Sequence, residues 1–340
     1  MNRTIKFVAA SALALGVVSL QARAETIVFN SFAPPKFIIN QGIIDVWAKN
    51  VEKATNGRVK VDIPASSLAP PQQQWETVTQ GVADGAYIFN AFAQKRLMLP
   101  QVAHLPFVTP SAEAQALALW HIHKELFEKA NEYKGVHFLG YFGSPAAHLF
   151  SLDKPIKTAD DLKDVKTWSL PGDQARALAE LGAVIVPGPA VRSYEIISKG
   201  IVQAYGGQNC NSAYQFNIAQ FAKSLTFIPG GMGSAAFSAF LNQQKWDGLA
   251  KQDQEAIDGV SGEAMAKLSV VWDKLETTDC ERMRAEGKIQ MMNASDQMVA
   301  DLRKKWAFLE TEWVENANSR GLDGKAALAR YKELTAQYSK

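Results

Sequence analysis

Five histidines and two cysteines limit what this chain could catalyse. His121 and His123 are the one close histidine pair, and on a helix residues i and i+2 point to different faces, which excludes a shared metal. No His-Glu-x-x-His, Gly-x-Ser-x-Gly or Walker sequence occurs. Gly231-Met232-Gly233 with Ala236 echoes a dinucleotide fingerprint, but no opening strand of a β-α-β unit precedes it, so no cofactor is expected. Cys210 and Cys280 read either as a disulfide or as two buried thiols. What remains is binding chemistry. Asn90, Tyr205 and Asn209 each follow an expected strand, where loops meet a cleft, and either asparagine serves equally as a turn cap. Phe32 and Phe107 offer apolar cleft walls or ordinary core, and His148 reads as a solvent-facing loop residue.

The elements that would position these groups come as a repeat. Residues 75–85 read WETVTQGVADG and 194–204 read YEIISKGIVQA. Each is an aromatic and a glutamate at the head of a short helix, closed by Gly81 or Gly200, since glycine takes a left-handed C′ conformation without a Cβ penalty. Each copy follows a proline-punctuated loop and leads into a strand, expected at 86–89 and 201–205. Two α/β lobes with a ligand cleft between them follow from this duplication.

Elsewhere the spacing predicts a strand at 26–29 and a helix over 38–54 with Ile39, Ile43, Trp47 and Val51 on its buried face. Alternation of Val59, Val61 and Ile63 with Arg58, Lys60 and Asp62 predicts a strand, hence a β-α-β unit. A helix is expected over 112–131, strands at 136–141, 165–170 and 184–186, and a helix over 174–181. Thr158 followed by Asp160 and Asp161 reads as a capped helical turn. From Asp253 to about Glu286 the apolar spacing predicts a long helix that either braces both lobes or breaks near Gly259 or Gly262.

Arg3 and Lys6, the apolar run from Phe7 to Leu20, and Ala22-Arg23-Ala24 form a signal peptide, so the mature chain is expected to start at Glu25 in the periplasm. No lipid-accepting cysteine follows, and no other stretch approaches the ~20 apolar residues of a membrane span. The remaining ~316 residues exceed what one core usually organises. With 36 basic against 34 acidic residues and no basic block, nucleic acid is not an expected partner.

Several segments in this order resemble the solute receptors of tripartite ATP-independent periplasmic (TRAP) transporters, the DctP family. They are Ser67-Leu68 before GVADG, Leu105-Pro106-Phe107, TADDLKDVK at 158–166, LGAVIVPGP at 181–189, SKGIVQA at 198–204 and KWDGLAKQDQEAI at 245–257. The resemblance implies a non-enzymatic α/β receptor of the two-lobed periplasmic binding type (type II-like), with a long helix bridging both lobes. Lobe 1 is expected over 25–145, lobe 2 over 146–230, a return to lobe 1 over 231–252, the bridging helix over 253–290 and C-terminal helices over 291–340. It would close on a small solute and deliver it to a membrane permease.

Two departures from the family pattern bear on the solute. Where the family carries an arginine for a substrate carboxylate, this chain has Trp168. Where glutamate and a second acid flank the second module, it has Arg192 and Gln203. Their joint replacement is self-consistent, because one charge without the other would stand alone near a dry pocket. Either Arg192 supplies the cation for an organic acid from another wall, or Trp168 faces an amine, or Trp168 stacks on an aromatic or apolar solute, or Trp168 is packed between helix and sheet and does not meet the solute. An organic acid is the expectation. An ABC-importer receptor and a secreted hydrolase are the remaining alternatives.

Overall fold

A computed structural model describes residues 24–339, so the signal-peptide reading lies outside the described residues. The strands are β1 Glu25–Asn30, β2 Val59–Asp62, β3 Gly85–Phe89, β4 Val136–Gly143, β5 His148–Ser151, β6 Lys166–Ser169, β7 Val184–Pro187, β8 Ala204–Gln208, β9 Ser224–Phe227, β10 Ala236–Asn242 and β11 Gln290–Asn293. The first helices are α1 Asp45–Ala54, α2 Gln74–Thr79, α3 Ala112–Glu125, α4 Asp173–Glu180, α5 Ser193–Ser198 and α6 Cys210–Gln215. After them come α7 Gln243–Gly248, α8 Lys251–Gly259, α9 Glu263–Lys267, α10 Val270–Glu286, α11 Asp296–Ser319 and α12 Gly324–Tyr338.

One sheet has the order β2-β1-β3-β10-β4 and the other β11-β9-β5-β8-β6-β7. In the first, β1 runs parallel to β2 and β3 while β10 runs antiparallel to β3. In the second, β6 runs parallel to β7 and β8 while β5 runs antiparallel to β8. The repeat is therefore topological: β2-β1-β3-β10 matches β7-β6-β8-β5, and α2 and α5 occupy the same place in each lobe. Gly81 and Gly200 both hold positive φ, 74° and 66°, the conformation that ends each helix.

The buried stripe of Ile39, Ile43, Trp47 and Val51 packs as its spacing requires, each side chain contributing ~2 kcal/mol. Its first turn is π-helical, Ile39–Ile44, rather than part of one straight helix. Thr158 and Asp161 form a reciprocal capping box. The helix expected to reach residue 131 stops at Glu125, and a 3₁₀ turn, Phe127–Ala130, follows. β11 joins the second sheet beside β9, so the segment beyond 290 is not wholly helical.

Two crossing segments join the lobes, one between β4 and β5 and one between β9 and β10. They hydrogen-bond to each other through Ser144 N to Ala235 O, 2.8 Å, and Ala147 N to Gly233 O, 2.8 Å. The third connection is the helical run from Lys251 to Glu286. It joins the lobes and it is also interrupted, at Val260–Gly262 and at Leu268–Ser269. Gly262 causes the first break: its φ of 54° leaves the helix, and its amide donates to Leu139 O at 2.6 Å. Among the described residues no helix is long and apolar enough to cross a membrane.

Candidate functional site

The parallel strands of both lobes end toward the space between the lobes, where loops leaving them can meet a ligand from two sides. A narrow, largely apolar cavity lies there. Lobe 1 supplies Phe32, Phe37, Phe89, Phe92 and Phe237, and lobe 2 supplies Leu170, Pro189 and Phe216. Trp272, from α10, completes the wall. The aromatic rings support one another: Phe89 meets Phe92 edge-on at 5.2 Å, and Phe37 meets Trp272 at 5.8 Å. Across the cleft Phe37 stacks on Phe216 at 4.8 Å and the Ile38 amide donates to Gln215 Oε1 at 3.1 Å, so the lobes touch around the cavity.

The polar part of the wall is small and neutral: Ser144, Gln208, Asn209 and Ser212. Asn209 Oδ1 caps α6 by accepting from Ser212 N at 2.9 Å, and its Nδ2 reaches Pro145 O at 3.4 Å. Ser144 Oγ accepts from Ala235 N at 2.8 Å. Among the described residues lining the cavity there is no Asp, Glu, Lys, Arg or His. His104, near Phe89 at 5.1 Å, is held down to about 4 by burial and is neutral at ordinary pH.

Of the residues singled out by sequence, Phe32 and Asn209 stand in this wall, and the others do not. Trp168 is fully buried in β6 with its Nε1 unpartnered; Leu170, beyond the strand end, takes the place at the cavity. Arg192 is exposed, because the 3₁₀ turn Ala190–Arg192 presents Ala190 and Val191 inward and turns the third residue out. Tyr205 lies within a strand that runs three residues further than its spacing predicts, and its ring stacks on Phe150 at 4.6 Å. Asn90 is buried elsewhere, its Oδ1 accepting from Ser238 Oγ at 2.5 Å. Phe107 packs on Trp306 at 5.6 Å under the Arg303 guanidinium, on the far side of the crossing segments. Gln203 Oε1 accepts from Lys166 N at 3.1 Å at the strand edge. His148 is a half-buried residue of β5 whose Nδ1 accepts from Ile228 N at 3.2 Å, not a loop residue. His121 and His123 do not meet on a metal: His123 Nδ1 faces Tyr141 Oη at 3.2 Å and His121 faces Glu263.

Behind the polar wall, Glu276 of α10 accepts from Cys210 N at 2.9 Å and Asn211 N at 2.8 Å, and Cys210 is bonded to Cys280, Cα to Cα 5.2 Å. Burial lifts the Glu276 carboxyl to about 7, against the lowering effect of the two amides. A carboxyl whose folded pKa exceeds its unfolded one keeps a proton that the unfolded chain has released, so it costs stability as pH climbs from the unfolded value to the folded one. Wild type should therefore lose about 3 kcal/mol relative to Glu276→Gln between pH 4.5 and 8. Urea melts at both pH values measure this; parallel pH profiles for the two proteins would sink it.

Residues 29–315 match the family described as DctP, bacterial extracellular solute-binding protein, family 7. The chain is 35% identical over 336 residues to the outer membrane transporter protein TsaT of Comamonas testosteroni, covering 99% of each chain. Its fold matches a TRAP periplasmic solute-binding protein of Bordetella bronchiseptica with bound (R)- and (S)-mandelate (TM-score 0.88, 27% identity, 92% of this chain and 99% of that one). It also matches a marine metagenome TRAP solute-binding protein specific for aromatic acid ligands, in complex with 3-hydroxybenzoate (TM-score 0.84, 27% identity, 93% and 99%). A Rhodoferax ferrireducens TRAP solute-binding protein with copurified benzoate is similar too (TM-score 0.83, 25% identity, 92% and 98%).

Proposed function

We propose, from the premise that the chain belongs to the DctP family and is a TRAP solute-binding receptor, that it captures a small aromatic acid in the periplasm and passes it to the membrane permease of its transporter. The observation that carries this reading is the cavity wall, seven aromatic side chains around a few neutral polar groups. An aromatic ring finds edge and face contacts there worth ~0.5–1.5 kcal/mol per pair beyond area burial. An aliphatic dicarboxylate would leave a charged group against phenylalanine, which costs several kcal/mol of desolvation. The single acid group is held by the amides of Gln208 and Asn209 and the hydroxyls of Ser144 and Ser212, without an arginine. The similar receptors with mandelate, 3-hydroxybenzoate and benzoate support the class. The family is one of receptors rather than enzymes, so the solute leaves chemically unchanged.

A thermal-shift series on the mature protein tests the class. Benzoate, 3-hydroxybenzoate or mandelate at ~100 times its Kd should stabilise the protein by ~2.7 kcal/mol, a Tm rise of roughly 5 °C. Succinate and benzylamine should give none. A rise with benzylamine alone would replace the acid by an amine, the aromatic faces then serving as cation partners.

A further inference from the structure

The helical run from Lys251 to Glu286 is fastened differently to each lobe. α9 goes with lobe 1, packing on α3 and β4 behind the Gly262 to Leu139 hydrogen bond. α10 goes with lobe 2: Cys280 is bonded to Cys210, Glu276 takes two α6 amides, and Asp279 accepts from Asn211 Nδ2 at 2.7 Å. The Arg282 guanidinium adds a contact 4.2 Å over Tyr214. Between α9 and α10 only Leu268 and Ser269 lie outside a helix. One turn past this joint, Asp273 reaches back to lobe 1. Its Oδ1 accepts from Ala112 N at 2.7 Å and its Oδ2 from Glu113 N at 3.0 Å, the first amides of α3.

We propose that Asp273 is the latch that holds α10, and with it the α6 side of the cavity, against lobe 1 while the cleft is shut, making it a positioning residue that sets solute affinity from outside the cavity. The lobe 2 fastening is covalent and persists through any hinge motion. Rotation at Leu268–Ser269 must instead break what spans the joint, and among the described residues the Asp273 pair holds the hydrogen bonds from α10 side chains to lobe 1. Both are charge-assisted and end at the positive end of a helix, the stronger kind of hydrogen bond. An interaction present in only one of two states biases the population toward that state. Trp272, beside Asp273, lines the cavity, so release of the latch also withdraws part of the wall. The proposal rests on the receptor reading of the cleft but not on the class of solute.

Spin labels at the exposed positions Glu76 in lobe 1 and Lys199 in lobe 2 report the inter-lobe distance in the mature protein, alone and with benzoate as probe. Asp273→Asn should shift the distances toward the longer, open population. It should also release benzoate roughly tenfold faster, with an association rate within about twofold of wild type. Glu276→Gln, confined to the lobe 2 fastening, should leave the distances unchanged. Ala112→Pro removes one donor from the other side, at the first helical position where proline is tolerated, and should act in the same direction even if the Asp273 variant folds poorly. Wild-type distances and release rate in folded Asp273→Asn and Ala112→Pro would overturn the latch. Failure of benzoate to bind wild type would count against the aromatic-acid reading, while the distances of the solute-free proteins would still decide the latch.

Discussion

Gly262→Ala should destabilise the receptor by about 4 kcal/mol, whereas Gly259→Ala, three residues earlier, should be neutral or stabilise it by up to ~1 kcal/mol. The two glycines look alike in sequence. At Gly259 the chain is helical and a methyl group would meet nothing within 4 Å, so alanine restricts only the unfolded chain. At Gly262 φ is 54° and ψ −119°, a region that L side chains rarely enter. A methyl there would also strike the Trp120 ring at 2.5 Å. Backbone strain and overpacking each contribute ~1–3 kcal/mol. Chemical denaturation of the two variants side by side measures the contrast. Equal midpoints would show that the break between α8 and α9 is not built on this glycine.

That contrast explains how far the fold was legible. Periodicity marked the late run as helical and placed Gly259 and Gly262 as candidate breaks, but the break shifts the register, so beyond it Met265, Ala266 and Trp272 are buried while Ala264, on the expected apolar stripe, is exposed. It held no information about Leu139 O, more than a hundred residues away, which is what pulls the chain out of the helix at one glycine and not the other. The repeated module was legible because glycine and proline leave a local signature; each copy proved to occupy the same place in its sheet. The π-helical start of the first helix was not, since its apolar spacing also fits an ordinary α-helix.

The site was legible as a place and much less so as a set of residues. Strand ends facing a cleft pointed to the region where the cavity lies, but β8 continues through Gly206 and Gly207 to Gln208. That extension puts Tyr205 inside the sheet and Gln208 and Asn209 at the cavity. Trp168 drew attention because it replaces an expected arginine, yet a tryptophan can satisfy that strand by joining the core, as it does here. The aromatic wall was missed because Phe37, Phe89, Phe92, Phe216, Phe237 and Trp272 have the composition of core. Trp272 was hidden because it lies among the apolar residues of the late helical run and so has the look of core.

Replacing both cysteines by serine should cost about 4 kcal/mol and lower Tm by roughly 8 °C. The bridge closes a segment of 70 residues, and a loop of that length retains a large conformational freedom in the unfolded chain once the link is gone. Within the folded protein the loss falls on one junction. α6 would then be held to α10 by the Glu276 carboxyl on two amides and by the Asp279 to Asn211 hydrogen bond. Glu276 is itself near half-ionised at neutral pH, so this remaining fastening strengthens or weakens with its charge, which the covalent link does not. The polar wall residues Asn209 and Ser212 sit at the start of α6, and the double serine variant should therefore also bind its solute several-fold more weakly. Dithiothreitol on wild type should reproduce the Tm loss and leave the variant unmoved. A variant melting within 2 °C of wild type, with no effect of reductant, would mean that the noncovalent contacts of α6 are enough to hold that wall.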